Sequence, residues 1–294
     1  MIKDDTSIKK ISLTYILSLL PLILYGFYKN GIYLYIKKYI SLPKMFKPLL
    51  LILIGFLIGA SVNIIYLKLI KKSKDNIIDI IFSSFHPIYG ILIASIISIN
   101  TNILLFSVVT FAVLFISKFI NNKINLISLS SLIIFFIMNI LNKFTFMNIY
   151  EQSSSFKMNA IDYMFGRGSG GILTTNILLI VLSFIILYNS KVYKKNIAIY
   201  SSGVFILLTT IYCILTKNIG NIMNMLFTNG ILFSFVYVAT EPVSSSYTKY
   251  GKEIYGILVG ILTFIFYLIN PALSSLGGIL IASIFNSLID LKFE

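Results

Sequence analysis

The sequence SFVYVATEPVSSSYTKYGKEIYG, residues 234–256, joins an apolar run to a short polar and basic segment. Glu241 ends the apolar run, where an ionisable side chain is costly unless it is paired, solvated or functional. Pro242 has no N–H group and disfavours helical geometry at the residue before it, so we expect the helix to end here with unpaired carbonyl oxygens. Carbonyl oxygens beside a carboxylate predict a station for a cation or a proton. The alternative is an acid in a surface loop, paired with Lys249 or Lys252.

The composition of the whole chain is typical of a polytopic membrane protein. Of its 294 residues, 57% are hydrophobic and 12% are charged, and the mean hydropathy is +0.93. Repeated apolar runs are long enough to span a bilayer. The net charge of +14 comes mostly from lysines in short clusters between these runs, so nucleic acid is not an expected partner. A single Cys and a single His leave no basis for a disulfide framework or a His/Cys metal site.

Apolar segments predict an all-α protein with about ten transmembrane helices. The segments are residues 12–28, 48–69, 77–99, 102–120, 124–142, 171–189, 196–216, 219–239, 254–269 and 272–291. With the N-terminus inside, 15 of the 24 Lys and Arg residues fall on the inner side and nine on the outer side. We therefore expect a multi-pass protein of the bacterial inner membrane with both termini in the cytoplasm and lipid as a partner.

The third apolar segment contains Phe85-His86-Pro87 at its middle, so it is either one broken helix or a hairpin of two half-length segments. A hairpin would reverse the orientation of everything after it. The inside-to-outside count of basic residues would then change from 15:9 to 11:13, which favours one broken span.

The two proline breaks suggest an internal repeat. Ser84-Phe85-His86-Pro87 resembles Ala239-Thr240-Glu241-Pro242, which lies 155 residues later, and the same offset aligns the remaining segments. Five spans in each half, residues 1–142 and 171–294, predict two repeats of inverted topology whose broken helices surround a ligand site. The expected ion path uses the ionisable and polar residues at these breaks, namely Glu241, Thr240, His86 and Asp79.

Residues 143–170 form the longest polar connection, which links the two halves and is assigned to the outer face. Its run Gly166-Arg167-Gly168-Ser169-Gly170 leads into the sixth apolar segment. Glycines before a helix N-terminus expose N–H groups to an anion such as a phosphate, and Arg167 adds a positive charge. The alternative interpretation is a flexible loop that feeds a helix.

The C-terminal third resembles the NqrB/RnfD family, which comprises membrane subunits of the sodium-pumping NADH:quinone reductase and of the Rnf electron-transport complex. Residues 239–245, ATEPVSS, are similar to the family motif A-T-D-P-V-T-S-P and are followed by a basic spacer and a glycine-containing helix. Residues 14–31, TYILSLLPLILYGFYKNG, are similar to the family's first helix. The start of the sixth segment takes the place of the family motif G-x-x-G-E-[TV]-S, without the Glu and with a partial match that includes Thr174.

The resemblance implies a flavoprotein electron carrier in a membrane redox complex, with other subunits as partners and Na⁺ or H⁺ as the translocated ion. Family members attach FMN to the Thr of an S-G-A-T motif in the outer connection. The corresponding residues 152–155, QSSS, contain neither this motif nor a Thr. We therefore expect FMN or riboflavin to bind without a covalent bond, although a phosphoester at Ser155 is the alternative. The implied flavin region contains Ser155, Arg167, Gly168, Gly170 and Thr174.

The chain has no Rossmann fingerprint and no set of Cys ligands for an iron–sulfur cluster. Chemistry on NADH or quinone is therefore expected from partner subunits, and this chain is expected to be part of a redox-driven translocase without complete catalysis of its own. The competing functions are a flavin-free secondary transporter or channel of the same architecture, and a purely structural membrane subunit.

Overall fold

A computed structural model describes residues 8–120, 123–141 and 158–293, so the predicted Ser155 lies outside the described residues. The described residues form helices joined by turns, and no β-strand occurs among them. The helices are α1 (Ile8–Ile36), α2 (Lys47–Ile70), α3 (Ile77–Ile81), α4 (His86–Ile96), α5 (Ile103–Ile116), α6 (Leu126–Ile140), α7 (Ala160–Met164), α8 (Ile177–Tyr188), α9 (Lys195–Leu215), α10 (Ile219–Phe227), α11 (Ile231–Val238), α12 (Lys249–Ile269) and α13 (Pro271–Phe293).

Helix length separates these elements into two groups. Among the described residues, α1, α2, α9, α12 and α13 are long and apolar enough to cross a membrane, and α10 with α11 makes a sixth span that is bent by 48°. The apolar helices α4, α5, α6 and α8 are shorter, at 10–17 residues. Every predicted segment therefore contains an apolar helix, but only five or six helices reach spanning length. The count of ten spans and the inverted repeat stay predictions.

The starts of the shorter helices follow from local sequence. Asn102, Asn125 and Asn176 each precede a helix and accept a hydrogen bond from a backbone N–H of its first turn, at 2.8, 2.9 and 3.0 Å. Such N-caps satisfy N–H groups that have no partner inside the helix. The start of α8 at Ile177 corrects the prediction that this helix begins at Gly171, because Asn176 provides its cap.

The broken third segment crosses the molecule once. The helix α3 ends at Ile81, and α4 begins at His86 with Pro87 in its first turn, so the break lies just before His86. A Cβ atom on Gly59 would overlap the backbone of His86, and one on Gly55 would overlap the carbonyl of Gly90. The later glycine of α2 thus lies at the earlier residue of α4, which makes these helices antiparallel and agrees with one broken span.

The bundle has two ends that are recognisable by their residues. At the Glu241 end, Lys118 after α5 donates to Ser84 before α4 at 3.0 Å, and Lys123 before α6 lies 3.9 Å from Asp290 near the end of α13. At the opposite, glycine-rich end, Lys29 near the end of α1 contacts Gly168 at 2.8 Å. The described start of α1 and the end of α13 therefore lie toward the same end. Its assignment to the cytoplasm rests on the lysine count and stays a prediction.

The two proposed halves are packed into one another. The hydroxyl of Ser183 on α8 donates to the carbonyl oxygen of Ser18 on α1 at 2.7 Å, and Tyr237 on α11 donates to the Ser18 hydroxyl at 3.0 Å. Polar bonds between helices are valuable inside a bilayer, where water does not compete. Large apolar side chains such as Leu24 and Leu207 are exposed on the outside, as lipid-facing positions require. The apolar exterior and the apolar helices describe a multi-pass membrane protein.

Candidate functional site at the Glu241 helix break

The helix α11 ends at the predicted break. Its residues Ser234–Val238 form a π-helical turn, a departure from α-helical geometry that is often found at functional positions. The segment 239–248 then runs without helix until α12 begins at Lys249, where the Thr248 hydroxyl accepts from the Gly251 N–H at 3.1 Å. Pro242 explains the end of the helix, since it cannot donate to a helical carbonyl.

Glu241 is buried, with 1% of its surface exposed. One carboxylate oxygen, Oε1, accepts from the Val243 N–H at 2.9 Å and from the hydroxyl of Tyr89. The other, Oε2, accepts from the Ser244 N–H at 2.7 Å and from the Ser244 hydroxyl. Four donors on two oxygens suit an ionised carboxylate, which only accepts hydrogen bonds. The alternative of an exposed surface-loop acid is therefore wrong.

A cationic group reaches the break from Lys194, immediately before α9. Its ammonium donates to the carbonyl oxygens of Pro242 and Ser245 at 2.8 and 2.7 Å, and to the Ser245 hydroxyl at 2.7 Å. The carbonyl oxygens predicted for an ion are thus held by the chain's own ammonium group. Partial burial lowers the pKa of Lys194 to about 8, and the negative charge of Glu241 acts in the opposite direction. The predicted pairing of Glu241 with Lys249 or Lys252 is wrong: across the described ranges, neither lysine forms an ion pair.

Two buried asparagines brace the segment after the break. The side-chain amide of Asn125, the N-cap of α6, donates to the Val238 carbonyl at 2.9 Å and to the Ser244 hydroxyl at 3.0 Å. The amide of Asn286 on α13 donates to the Ser244 carbonyl at 2.9 Å. Together with Lys194 before α9, contacts from three separate helices hold this segment, which fixes the position of the Glu241 carboxylate.

Asp290 is a second buried acid at this end, and sequence reasoning missed it. Its Oδ1 accepts from the Ser246 hydroxyl at 2.5 Å and from the Tyr247 N–H at 3.2 Å. Its Oδ2, and the Oδ1 of Asn286 one helical turn earlier, are buried without a hydrogen-bond donor among the described residues, although Lys123 lies 3.9 Å from Oδ2. The available signal was an acid inside the last apolar segment, the same signal that drew attention to Glu241.

His86 lies in a polar network beside this site. Its ring nitrogens contact the hydroxyls of Ser84 at 2.9 Å and Ser117 at 3.1 Å, and Ser84 in turn receives Lys118 at 3.0 Å. The His86 ring is 5.5 Å from the ring of Tyr89, which contacts Glu241. The two predicted breaks therefore meet through Tyr89.

The remaining predicted ion-path residues have different environments. The Thr240 hydroxyl donates to the Val236 carbonyl of its own helix at 2.6 Å and is buried. Asp79 is exposed on α3, before the turn that leads to His86. Thr240 therefore belongs to the break itself, whereas Asp79 lies outside the buried network.

The glycine-rich end differs from the predicted anion cradle. Arg167 pairs with Asp162 at 2.5 Å, so its charge is neutralised within the chain. The N–H groups of Ile172 and Leu173 donate to the carbonyls of Ile97 and Ser95 at 3.2 and 3.0 Å, so they are not available to an anion at the start of a helix.

The close packing around the glycines has a steric cause. A Cβ atom on Gly170 would lie 2.8 Å from the Thr174 hydroxyl, and Gly166 has a φ of +77°, a geometry that favours glycine. Thr174 is buried beside Gly170. The predicted residues Arg167, Gly168, Gly170 and Thr174 thus lie in one compact segment.

A positive charge remains at this end. Lys29 is 3% exposed, and its ammonium donates to the Gly168 carbonyl at 2.8 Å and the Thr175 hydroxyl at 3.1 Å. Both acceptors are neutral, and Lys29 has no carboxylate partner in the described part of the chain. A buried cation without a counter-charge suits an anionic group. The residues therefore fit a flavin phosphate through Lys29 rather than through Arg167, which sequence reasoning had selected.

The family model named NQR2, RnfD, RnfE family matches residues 1–294. The chain belongs to this family. The assignment agrees with the resemblance of residues 239–245 and 14–31, and it places the Glu241 break within the part that carries the most specific motif.

Individual members of the NQR2, RnfD, RnfE family match shorter parts of the chain. All are NqrB proteins, which are subunits of the Na⁺-translocating NADH-quinone reductase. NqrB of Chlamydia pneumoniae is 45% identical over 67 residues, which is 22% of this chain and 13% of that protein. NqrB of Stutzerimonas stutzeri (strain A1501) is 28% identical over 133 residues, 44% of this chain and 32% of that protein. NqrB of Pseudomonas aeruginosa (strain LESB58) is 39% identical over 67 residues, 22% and 17% respectively. The matches thus span at most a third of these relatives.

Proposed function

We propose that this chain is a membrane subunit of an ion-translocating electron-transport complex of the Rnf or Nqr type, that it carries electrons through a bound flavin, and that it contributes to a Na⁺ or H⁺ path. The observation that carries the proposal is the buried carboxylate of Glu241 at a helix break in a member of this family. Ionisable groups at such depth usually mark ion paths. The named relatives are subunits of a Na⁺-translocating NADH-quinone reductase, and partner subunits would complete the reaction.

The ion path is proposed to run through the buried polar groups of the Glu241 end. Glu241 and Asp290 supply two carboxylates beside one segment, and the oxygens of Asn286 and Asp290 that lack hydrogen-bond donors among the described residues retain capacity for a cation. Lys194, with a pKa of about 8, exchanges its proton near neutral pH, which supports H⁺ as well as Na⁺. His86 and Tyr89 extend the polar route toward α5.

The flavin is proposed to lie at the glycine-rich end without a covalent bond. When bound, a flavin supplies one-electron and two-electron transfer. Lys29 would neutralise its phosphate, while Gly168, Gly170 and Thr174 shape the adjoining segment. Arg167, which is paired with Asp162, would position that segment and not bind the flavin directly. Ser155 is the position of the proposed region where a phosphoester is the alternative.

The flavin part is tested on the complex purified from its native host. We expect flavin in the extract after denaturation and no fluorescent band in a denaturing gel. Lys29→Gln should lower the flavin content several-fold, whereas Lys44→Gln, which removes an exposed lysine, should not. A fluorescent band that disappears in Ser155→Ala would contradict non-covalent binding. An intact complex with no flavin would refute the electron-carrier role.

The ion-path part is tested in membrane vesicles that contain the complex. Glu241→Gln keeps the size of the side chain and removes its charge, so we expect electron transfer to continue with a large loss of coupled cation uptake. Glu253→Gln, which neutralises a half-buried acid on α12, is the matched control. Unchanged uptake and assembly in Glu241→Gln would exclude a role for this acid.

The second candidate is a flavin-free secondary transporter. The missing S-G-A-T motif and the neutralised Arg167 favour it. Cation transport that persists in flavin-free protein, without an electron donor, would support this alternative. Transport that requires a donor would support the redox complex.

A further inference from the structure

A cavity of about 410 Å³ opens at the Glu241 end, above the buried carboxylate site. Its wall contains no carboxylate among the described residues, and its charged residues are all lysines, namely Lys191, Lys194, Lys195, Lys249 and Lys252. Such a concentration of one sign of charge raises the local concentration of anions.

The charge of this cavity is not balanced within the described part of the chain. The ion pairs found there join Arg167 to Asp162 and Lys123 to Asp290, and neither involves a lysine of the cavity. Lys194 directs its hydrogen bonds to the Pro242 and Ser245 oxygens and contributes only its charge. Lys191 and Lys249 are exposed, and Lys252 is half-buried. These side chains can reach a common anion.

The backbone adds to the positive potential. The helices α9 and α12 begin at Lys195 and Lys249, each has 21 residues, and both of these first residues line the cavity. The N-terminus of a helix carries a partial positive charge and N–H groups without helical partners. Two long helices therefore direct their positive ends to the place where the lysines converge.

An apolar groove of about 200 Å³ lies on the same face, between α8 and α9. Its wall includes Val181, Phe184 and Ile199. Ile199 follows Lys195 by four residues, so the two side chains lie one above the other on α9. The Lys195 ammonium lies 4.0 Å from the centre of the Tyr188 ring at the end of α8. A positive cavity thus continues into an apolar groove along two neighbouring helices.

We propose that this face binds an anionic phospholipid, with its phosphate group among the lysines and an acyl chain in the groove. Basic pockets between membrane helices bind anionic head groups in this way. A soluble phosphate would use the lysines but not the groove, and a zwitterionic lipid lacks the net negative charge. This site is independent of the flavin and of the ion path, and it uses Lys191, Lys252 and Ile199, which have no part in either.

Native mass spectrometry of the full chain in detergent tests the proposal. The protein is titrated with phosphatidylglycerol or phosphatidylcholine, and calorimetry measures the binding of inorganic phosphate. We expect tighter binding of phosphatidylglycerol than of phosphatidylcholine. The double variant Lys191→Gln/Lys252→Gln should weaken the first phosphatidylglycerol by about 25-fold, or about fivefold for each lysine. Lys68→Gln/Lys74→Gln removes two exposed lysines at the same end and should leave this binding unchanged.

A second variant tests the groove without changing the charge. Ile199→Trp fills the groove from a partly exposed position and should weaken phosphatidylglycerol but leave phosphate binding as it is, whereas Leu207→Trp at another exposed position of α9 should change neither. The proposal is wrong if the two lipids bind equally or if the two lysine pairs behave alike. It is also wrong if phosphate binds as tightly as phosphatidylglycerol and Ile199→Trp has no effect. Loss of partner subunits in Lys191→Gln/Lys252→Gln, with lipid binding intact, would identify an acidic protein surface instead.

Discussion

Tyr89 on α4 donates its phenolic hydrogen bond to the carboxylate of Glu241, 152 residues further along the chain. Tyr89 follows the first helix break and Glu241 forms the second, so this bond joins the two. Both side chains are buried, and the carboxylate has no access to bulk water. The geometry of the acid therefore depends on a residue of the other half of the chain.

Removal of this donor should destabilise the protein. We expect Tyr89→Phe to lower the free energy of unfolding by about 1.5–3 kcal/mol, because a hydrogen bond to a charged group is lost inside the protein. Unfolding by sodium dodecyl sulfate in mixed micelles measures the difference. Tyr255→Phe is the control, since the Tyr255 hydroxyl is buried without a hydrogen-bond partner in the described residues. Equal losses in the two variants would mean that the Tyr89 bond contributes nothing specific.

The brace formed by Asn125 should contribute more than an ordinary helix cap. Asn125→Ala removes the cap of α6 and also the amide bonds to Val238 and Ser244, so we expect a loss of about 2–4 kcal/mol. Asn102→Ala removes a cap from the exposed start of α5, where the side chain accepts from the Leu104 N–H, and should cost about 1 kcal/mol. The same micelle titration compares them. A smaller loss for Asn125 than for Asn102 would contradict the bracing role.

Two glycines should respond to alanine in opposite directions. Gly55→Ala places a methyl group against the Gly90 carbonyl, so α2 and α4 must separate, and we expect a loss of about 1–3 kcal/mol. Gly203 on α9 has open space around its Cβ position, so Gly203→Ala should add up to about 1 kcal/mol through helix propensity. Thermal unfolding in detergent gives both signs. A stabilised Gly55→Ala protein would exclude the close contact between the two helices.

The segment that contains Asp162 should be sensitive to acid. The Asn159 N–H, which donates to the carboxylate at 2.9 Å, lowers the pKa of Asp162, and Arg167 acts in the same direction. The contribution of Asp162 is therefore fully present above the usual aspartate pKa of about 3.9 and is lost as the pH falls through the lower folded-state pKa. We expect the difference in melting temperature between the native protein and Asp162→Asn to shrink over this range. A difference that is independent of pH would show that the charge contributes no stability.

Much of the Glu241 site was accessible from the sequence, because its elements are local. Pro242 predicts the end of the helix, and an acid after an apolar run predicts burial or function. The meeting of the two breaks was also foreseen in outline from the similarity of residues 84–87 and 239–242. These inferences use neighbouring residues and a repeated pattern, which sequence alone displays.

The partners of the site were not accessible in this way. Lys194, Asn125 and Asp290 reach the break from three different helices, and no local pattern specifies which helices become neighbours. Their shared signal is a polar residue at the edge of an apolar run, but many such residues occur in this chain. Arg167 was chosen for the flavin because it is the only Arg in the sequence, whereas its pairing with Asp162 depends on the fold of the connection.

The ammonium of Lys194 gives the helix break a tethered competitor for cations. Since it is part of the chain, its effective concentration at the Pro242 and Ser245 carbonyls is fixed by geometry and does not change with the salt of the surroundings. A mobile ion gains these oxygens only by displacement, as in an exchange reaction, and not by filling an empty site. Its affinity for the break is therefore set by the difference between two cations, and the length of one side chain determines how readily that exchange occurs.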